Sequence, residues 1–229
     1  MSEVTTHAAL TWDADGTRYY HTGVSKGVIY PMGNSGSYEQ GVAWNGLTSV
    51  EESPDGADVT DLWADNMKYA SFRSAESYKG SIKAYMYPTE FEACNGYATA
   101  GSLTGMKLGQ QKRKVFGLCY RTEIGSDTNP SAGYIIHVVY GCTVSPTSAT
   151  HDTINDNPDA VEMSWDFEST PASVQNITGV KQTSSVEFNS IELGSAKMSA
   201  LEAVLYGSSS ADASLPSPDS LYSTLSAVT

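Results

Sequence analysis

The sequence is poor in basic residues. Lys and Arg together number 13 against 26 Asp and Glu, which gives a formal net charge of −13. Binding to nucleic acid through its phosphates requires Lys and Arg side chains, so this balance argues against a nucleic-acid-binding domain. The basic cluster at 112–114 (Lys-Arg-Lys) is therefore interpreted as a guard of a strand edge or a partner of acidic neighbours, rather than as a nucleic-acid contact.

Cysteine and long apolar runs are also scarce. The three cysteines, Cys94, Cys119 and Cys142, are odd in number and form no CxxC pair. This usage is typical of a chain made in a reducing compartment, and we predict that they are small core residues. No apolar run approaches the ~20 residues of a membrane span, and no charged-then-apolar leader is visible, so we expect neither a transmembrane segment nor a signal peptide.

Motifs of the common catalytic and cofactor sites are missing. The sequence contains no GxSxG motif, no phosphate-binding loop ending in Lys-Ser/Thr and no dinucleotide fingerprint. None of the histidines has the i, i+4 spacing of a helical metal site. These are His7, His21, His137 and His151. We interpret His137, within an apolar stretch, as a hydrogen-bonded interior residue, and we predict no catalytic activity, no metal and no cofactor.

What the sequence does contain is typical of β-sheets. Gly, Ser, Thr and Tyr are plentiful and only 17% of residues are charged, a mixture that suits strands and turns. The clearest strand signal is the strict alternation over 161–168. Val161, Met163, Trp165 and Phe167 point one way, and Glu162, Ser164, Asp166 and Glu168 point the other. We expect a packed core behind this strand and a row of three carboxylates in front of it.

Further elements follow from local patterns. The stretch Tyr134–Cys142 is apolar on both faces apart from His137, which predicts a strand covered on two sides. Other predicted strands lie within 41–47, 76–88, 111–123 and 185–191. Short turns are predicted at 13–16, where a hairpin is favoured over a calcium loop, and at 90–96. Residues 57–74 are ambiguous between helical turns and an irregular edge.

The domain organisation is predicted as one β domain over 1–206 and a C-terminal tail over 207–229. The domain includes a helix at about 195–206, with an apolar face formed by Met198, Leu201, Val204 and Leu205. It also includes a long, Gly-rich and only partly regular segment at about 30–58, which is typical of a functional arm. The tail is rich in Ser, Ala and Pro, so we expect it to be mobile unless a partner holds it.

Several segments, in their order along the chain, carry a resemblance to a known family. They are Gly41–Val50, Tyr78–Phe91, Phe116–Thr122, Val139–Cys142, residues 156–160, Ser164–Pro171, Leu201–Gly207 and Leu215–Pro218. Together they resemble the major tail (tail tube) proteins of long, flexible-tailed bacteriophages and prophages. The resemblance covers most of 28–222.

The resemblance implies an antiparallel β-sandwich or split barrel of the tail tube type, with one flanking α-helix and extended loop and terminal arms. Six copies would close a ring, and stacked rings would form a tube in the virion tail, assembled in the host cytoplasm. The implied partners are other copies of the chain, the tape-measure protein, tail-tip or initiator and terminator proteins, and viral DNA passing through without specific binding. No membrane partner is expected.

The acidic row has a role in such a tube. A barrel of about 16–18 strands makes only a porin-sized channel, so a bore for duplex DNA needs strands from several subunits. An acidic wall within the ~8 Å screening length would repel DNA rather than hold it. We therefore expect Glu162, Asp166 and Glu168 to face the lumen.

Two expectations about surfaces remain open at this point. The acidic row can instead face outer solvent, in which case another face, such as Ser77, Ser81 and Tyr85, lines the channel. The arm at 30–58 is expected to order only on docking to the next ring. Its predicted contact residues are Tyr30, Tyr38, Trp44 and Leu47.

Two other function classes compete with a tube protein. A β-sandwich adhesin, carbohydrate-binding module or decoration module would use the abundant Tyr and Trp for stacking on sugars. A glycosidase would use Glu162, Asp166 and Glu168 as paired acids, because alternate residues on a strand lie about 7 Å apart. Every acidic strand offers that spacing, so catalysis is the less favoured reading.

Overall fold

The computed structural model describes Leu10 and residues 12–56, 58–74, 76–145, 147–148, 150–151, 153 and 160–228. His7 and most of the segment 156–160 lie outside these residues. The strands are β1 Tyr19–Pro31, β2 Val42–Trp44, β3 Leu47–Glu52, β4 Asp55–Gly56, β5 Val59–Ala64, β6 Met67–Arg73, β7 Glu76–Ala84, β8 Ala98–Ala100, β9 Leu103–Leu108, β10 Phe116–Ser126, β11 Gly133–Ser145, β12 Met163–Ser169 and β13 Ser185–Asn189. The helices are α1 Phe91–Cys94, α2 Ser190–Leu193, α3 Ser195–Leu205 and α4 Pro218–Ser226.

The fold is mainly β, with 47% strand and 14% helix, which confirms the predicted fold class. Of the described strands, nine form one sheet with the central order β2-β1-β10-β11-β12-β7-β3, while β13 pairs with β11 and β4 pairs with β7. The strand pairs of this sheet are antiparallel. Since β1 also contacts β3 from the other end of the strand order, the sheet is curled and encloses a core.

The inner core lies inside the curl and is dominated by aromatic rings. Phe91 of α1 stands 4.5 Å from the Trp44 ring and 5.2 Å from the Trp165 ring, in tilted and edge-on arrangements. Phe116 and Phe167 belong to the same buried cluster. Helix α1 thus fills the interior of the sheet. Gly96, with φ +80, follows the helix and ends the turn that was predicted at 90–96.

The outer core lies between the back of the sheet and two helices. Residues Tyr30, Ile136, Val138 and Tyr140 of β1 and β11 pack against the apolar faces of α3 and α4. The helix faces contribute Met198, Leu201, Leu205, Leu221 and Leu225. Strand β11 is therefore covered on both sides, as its unbroken apolar sequence predicts.

A bulge at Gly141 changes the face on which β11 presents its side chains. Phe116 pairs with Cys142 but Leu118 pairs with Val139, so the register shifts by one residue at this point. Tyr140 consequently faces the helices, whereas Cys142, two residues later, belongs to the inner core. Gly141 has φ +62, and a Cβ there would lie 2.2 Å from the Thr170 carbonyl oxygen. Both the conformation and the close approach require glycine.

Several predictions need correction. The C-terminal segment is not a mobile tail, because α4 buries Leu221 and Leu225 against the outer core, which gives the domain a second flanking helix. The segment 57–74 was expected to be helical or irregular, but its residues Val59–Arg73 form the hairpin β5–β6. A turn does occur at 14–17, where the Thr17 N–H donates to the Ala14 carbonyl, yet in the described part of the chain no strand precedes it.

The burial of the cysteines tests one prediction from composition. Cys94, Cys119 and Cys142 are free and buried, as predicted for core residues. Within the described ranges, no helix combines the length and apolarity that crossing a bilayer demands.

Candidate functional site

The acidic face of β12 forms as its alternation predicts. Trp165 and Phe167 are buried in the inner core, whereas Glu162, Asp166 and Glu168 are exposed on the other face. The Glu162 carboxylate accepts a 2.6 Å hydrogen bond from the hydroxyl of Thr48 in β3. Asp166 and Glu168 therefore share the solvent-facing side of β12, and Glu162 is exposed one residue before the strand. The position of all three relative to a bore stays a prediction.

The neighbouring strands add both signs of charge to this acidic face. Across the sheet, Asp166 pairs with Ser81, which in turn pairs with Glu51 of β3. Glu168 pairs with Lys79, whose ammonium lies 3.1 Å from the Asp55 carboxylate. Because Lys79 holds that contact, the pKa of the Asp55 carboxyl lies below its usual range. The face is thus a net acidic surface with lysines on β7, not an unbroken row of acid.

The exposure of these carboxylates also tests the hypothesis that they are the paired acids of a glycosidase. Asp166 and Glu168 line one open groove together with Glu51, Asp55 and Lys79. Carboxylates on an exposed sheet face keep their hydration, whereas a glycosidase acid needs an environment that raises its pKa. The arrangement therefore favours a charged surface over a catalytic pair.

The hairpin β5–β6 pairs only with itself among the described strands and stands apart from the main sheet. Its turn residues Asp65 and Asn66 have φ +52 and +63. Positive φ at both central positions is the signature of a type I′ turn, whose twist matches that of a two-residue hairpin. The Asp61 carboxylate accepts a hydrogen bond from Ser71 and lies 2.7 Å from the Lys68 ammonium, which fixes one face.

Apolar side chains of this hairpin are left in solvent. Trp63 is 69% exposed, Tyr69 is 75% exposed and Met67 is 63% exposed. Leu62 lies opposite Ala70, two residues along from the Thr60–Phe72 pair, so these pairs share one face. Leu62 and Phe72 are also exposed. An isolated hairpin is marginally stable in water, and several large apolar side chains exposed on one hairpin are suited to a site of interaction. We call residues Val59–Arg73 the apolar hairpin.

The predicted arm residues do not form a free arm. Tyr30 is fully buried and Trp44 is 3% exposed, both within the cores of this single chain. The Trp44 indole N–H donates a 2.8 Å bond to the Met86 carbonyl. Tyr38 and Leu47 are half-buried, and the Tyr38 hydroxyl accepts a bond from the Gly141 N–H. The prediction that the segment 30–58 orders only on docking to the next ring is wrong for Tyr30 and Trp44, because both side chains are packed in the cores of the single chain. A role between subunits remains a prediction for Tyr38 and Leu47.

The basic cluster at 112–114 contacts nearby oxygen atoms of its own chain. The Lys114 ammonium lies 3.8 Å from the Glu39 carboxylate, and the Arg113 guanidinium donates to the Asn95 carbonyl. These contacts agree with the interpretation of the cluster as a partner of acidic and polar neighbours.

A polar cluster that the sequence did not predict surrounds His137. The imidazole stacks on the Tyr120 ring with centroids 4.6 Å apart and an interplanar angle of 4°. The Tyr120 hydroxyl donates to Glu52 of β3. Glu187 of β13 pairs directly with His137 across the sheet. Burial lowers the pKa of His137 below its usual value, against the opposing charges of Glu187 and Glu52. The interior position matches the prediction for His137, while its carboxylate neighbours come from strands distant in sequence.

No protein-family model matches the sequence, and no curated protein is similar to it. Among the solved structures with a weak likeness to this chain are three that belong to tube assemblies. The tube terminator of an extracellular contractile injection system is 10% identical, with 71% of this chain and 96% of that chain covered and a TM-score of 0.32. A sheath-tube complex protein of such a system is 11% identical, with 82% and 99% covered and a TM-score of 0.29. The tube-terminating cap of an anti-feeding prophage is 8% identical, with 82% and 99% covered and a TM-score of 0.30. These scores are too low for the likeness to establish the fold or the function of this chain.

Proposed function

We propose that this chain is a structural subunit of a phage-type tail tube. Hexameric rings of the chain stack into a tube that conducts the tape-measure protein and then viral DNA, without catalysis and without a cofactor. The sequence resemblance supplies the family, and one structural observation carries the proposal. That observation is the apolar hairpin, whose exposed Trp63, Met67 and Tyr69 side chains need a covering surface.

The apolar hairpin suits contact between copies better than contact within one chain. Burying a large apolar side chain stabilises a contact by about 1.5–3 kcal/mol, so several such residues supply a substantial driving force. Other aromatic residues already fill the inner core of the chain. The Trp44 and Trp165 rings, for example, pack against Phe91 at centroid distances of 4.5 and 5.2 Å. A second copy of the chain is therefore the proposed occupant, in the next subunit or the next ring.

Strand β1 offers a second place for assembly. Residues 19–26 of β1 run beside β10, whereas β2 pairs only with Gly27, Val28 and Ile29. In the described part of the chain, no strand lies on the outer side of 19–26. An open edge of this length is suited to strand addition from a neighbour, which would continue the sheet around a ring. In this proposal the β12 face with Glu162, Asp166 and Glu168 lines the bore.

Electron microscopy of the purified chain at high concentration tests the proposal, since rings or tubes are the expected result. Replacing Trp63 and Tyr69 together by Ser removes apolar surface that no core of the monomer uses. The double variant is expected to keep the monomer's unfolding midpoint and to lose rings and tubes. Tyr222→Ser, at another exposed aromatic residue on α4, serves as the matched control and is expected to assemble. Failure of the wild-type chain to assemble, even with tail-tip nuclei, would contradict the proposal.

The alternative is an adhesin, carbohydrate-binding or decoration module, and the same hairpin favours it as the runner-up. Exposed Trp63 and Tyr69 rings are suited to stacking on sugar faces. This alternative expects a monomer at all concentrations, together with glycan binding that the double Ser variant loses. Tubes in wild type and no glycan binding would exclude it.

A further inference from the structure

Three side chains with metal-binding atoms converge beside the inner core. Glu52 comes from β3, His137 from β11 and Glu187 from β13, and one ligand atom of each lies within 4.8 Å of the others. His137 Nδ1 is 3.4 Å from an Oε1 of Glu187 and 3.9 Å from Glu52 Oε1. The three residues are far apart in sequence, and only the curled sheet brings them together.

The orientation of the imidazole is held from two sides. Its Nε2 lies 2.9 Å from the Thr122 hydroxyl oxygen, and its ring plane is fixed by the parallel stack on Tyr120. Nδ1 is buried and has no hydrogen-bond partner among the residues that the structure describes. In the tautomer that donates Nε2–H to Thr122, Nδ1 carries a lone pair, and a carboxylate oxygen of Glu187 lies 3.4 Å and one of Glu52 3.9 Å from it. Three electron-rich groups in one partly buried space repel each other, and either a proton on Nδ1 or a cation between the groups relieves this repulsion.

We propose that Glu52, His137 and Glu187 form a binding site for a divalent transition-metal ion of the zinc type. Imidazole nitrogen and carboxylate oxygen are ligands that such ions accept. Two ligands of a tetrahedral zinc ion, each at about 2.0–2.1 Å from it, lie about 3.3 Å apart. The spacing between His137 and Glu187 already matches this value. Glu52, at 3.9 Å from Nδ1 and within 4.8 Å of the Glu187 ligand atom, must move closer to both, which a flexible side chain can do.

The groups around these ligands are those that support metal binding. A ligating histidine commonly donates its other ring N–H to a neighbouring group, which fixes the tautomer, and Thr122 occupies that place. A ligating carboxylate is commonly hydrogen-bonded as well, and the Tyr120 hydroxyl donates to Glu52. The Glu187 side chain is 58% exposed, so an ion can enter from solvent and keep water as its remaining ligand.

The bound ion would join strands that the sheet does not pair. β3 pairs with β7, and β13 pairs with β11, so Glu52 and Glu187 stand on different parts of the curl. An ion held by both carboxylates and by His137 would tie these parts together and stabilise the curled sheet. The inference rests on the single chain and does not depend on the proposed function.

Titration of metal-stripped full-length protein with Zn²⁺ by calorimetry, and with Co²⁺ by visible absorption, tests the site. The expected result is uptake of one ion per chain, with Co²⁺ bands typical of a four- or five-coordinate site. Glu187→Gln lies at a largely exposed position, so it should fold normally and weaken binding at least tenfold. Thr122→Val acts only through the orientation of His137 and is expected to weaken binding by about 10–100-fold.

Glu51→Gln is the matched control, because this exposed carboxylate neighbours Glu52 in sequence but faces the other side of β3. It should bind both metals like the wild type. Two outcomes would overturn the proposal. One is a wild-type chain that takes up no Zn²⁺ or Co²⁺ at neutral pH, which would mean that a proton on Nδ1 balances the carboxylates. The other is uptake that Glu187→Gln and Thr122→Val leave unchanged, which would mean binding elsewhere on the acidic surface.

Discussion

The Tyr30 hydroxyl donates a 2.6 Å hydrogen bond to the carbonyl oxygen of Leu205, in the last turn of α3. The last four carbonyls of a helix have no partner within the helix, so this bond satisfies one of them. Both residues are fully buried. The contact fastens the helix layer to β1, and it explains why Tyr30, at the start of the predicted arm, is a fixed interior residue.

Tyr30→Phe is expected to destabilise the chain by about 1–3 kcal/mol, because it leaves the buried Leu205 carbonyl without its partner. The ring and its apolar contacts remain, so the effect isolates the hydrogen bond. Urea unfolding followed by circular dichroism measures the change. Tyr19→Phe, at an exposed tyrosine of the same strand, is the control and should be neutral. Equal stability of both variants would show that the bond to Leu205 contributes nothing.

Two kinds of strand were predictable from the sequence: those in which apolar and polar residues alternate, and those with an uninterrupted apolar run. β12 was predicted with the correct faces over Met163–Ser169, because alternating apolar and polar residues match a strand with one buried side. Val161, which the predicted alternation over 161–168 placed on the core side, precedes β12 and is 44% exposed. β11 was predicted from its apolar run, although the strand extends further, over Gly133–Ser145. The bulge at Gly141 was not predicted, because a bulge depends on the register with the partner strand, which the sequence of β11 alone does not contain.

The apolar hairpin was missed because its composition mixes two signals. Asp61, Trp63 and Lys68 fit a helical turn as well as a strand, so periodicity does not separate the two. The signal that could have found it is the pair Asp65-Asn66, because both residue types tolerate positive φ at the centre of a tight turn. The exposure of the apolar residues depends on the tertiary contacts of the hairpin, and a local sequence pattern carries no information about such contacts.

Helix α4 was missed because a Ser- and Pro-rich composition outweighed its start signal. Ser217 caps the helix by accepting from the Ser220 N–H, and Pro218 follows at the first helical position. Leu221 and Leu225 are spaced by four and face the outer core. The polar cluster of Glu52, His137 and Glu187 was beyond sequence reasoning, since its members meet only through the order of strands in the sheet.

The bulge glycine is expected to be intolerant of any side chain. At Gly141, with φ +62, an added Cβ would meet the Thr170 carbonyl oxygen at 2.2 Å. Gly179 has φ +81 with nothing within 4 Å of such a Cβ. Gly179→Ala is therefore expected to cost about 1–2 kcal/mol from backbone strain alone. Gly141→Ala should cost about 1–3 kcal/mol more, because the backbone must also move away from Thr170.

Thermal and urea unfolding of both glycine variants measures these costs. Comparable losses at the two positions would mean that Gly141 is needed only for its positive φ, and that the approach to Thr170 relaxes freely. A larger loss at Gly141 supports a rigid bulge that fixes the faces of β11.

Stability is expected to fall at alkaline pH because of the buried thiols. Burial raises the pKa of the Cys94 and Cys119 thiols to about 12, and it raises the pKa of Cys142 as well. In the unfolded chain a thiol ionises near pH ~8.5. A group whose pKa is raised by folding stabilises the folded state fully below the unfolded value, and this contribution is lost as the pH rises toward the folded value.

The expected loss is about 1.4 kcal/mol per thiol for each pH unit above the unfolded pKa. Urea unfolding at pH 7.5, 8.5 and 9.5 measures it. Cys119→Ala is the comparison variant, because it should show a shallower decline than the wild type after its own loss of packing at pH 7.5 is subtracted. A free energy of unfolding that stays constant from pH 7.5 to 9.5 would contradict buried, protonated thiols.

The acidic face of β12 gives the sharpest functional test of the tube proposal. Replacing Glu162 and Asp166 together by Lys reverses the charge at two exposed positions without touching the core that Trp165 and Phe167 form behind them. If this face lines the bore, a basic wall would hold the DNA phosphates, so tubes should assemble while DNA ejection slows or stops. Electron microscopy measures assembly, and DNA release from purified virions measures ejection. Glu162→Gln with Asp166→Asn is the matched control, which removes the negative charge without adding positive charge and should show a milder effect. Normal ejection and infectivity with the Lys variant would place the face on the outside of the tube, and the bore would then be lined by another surface.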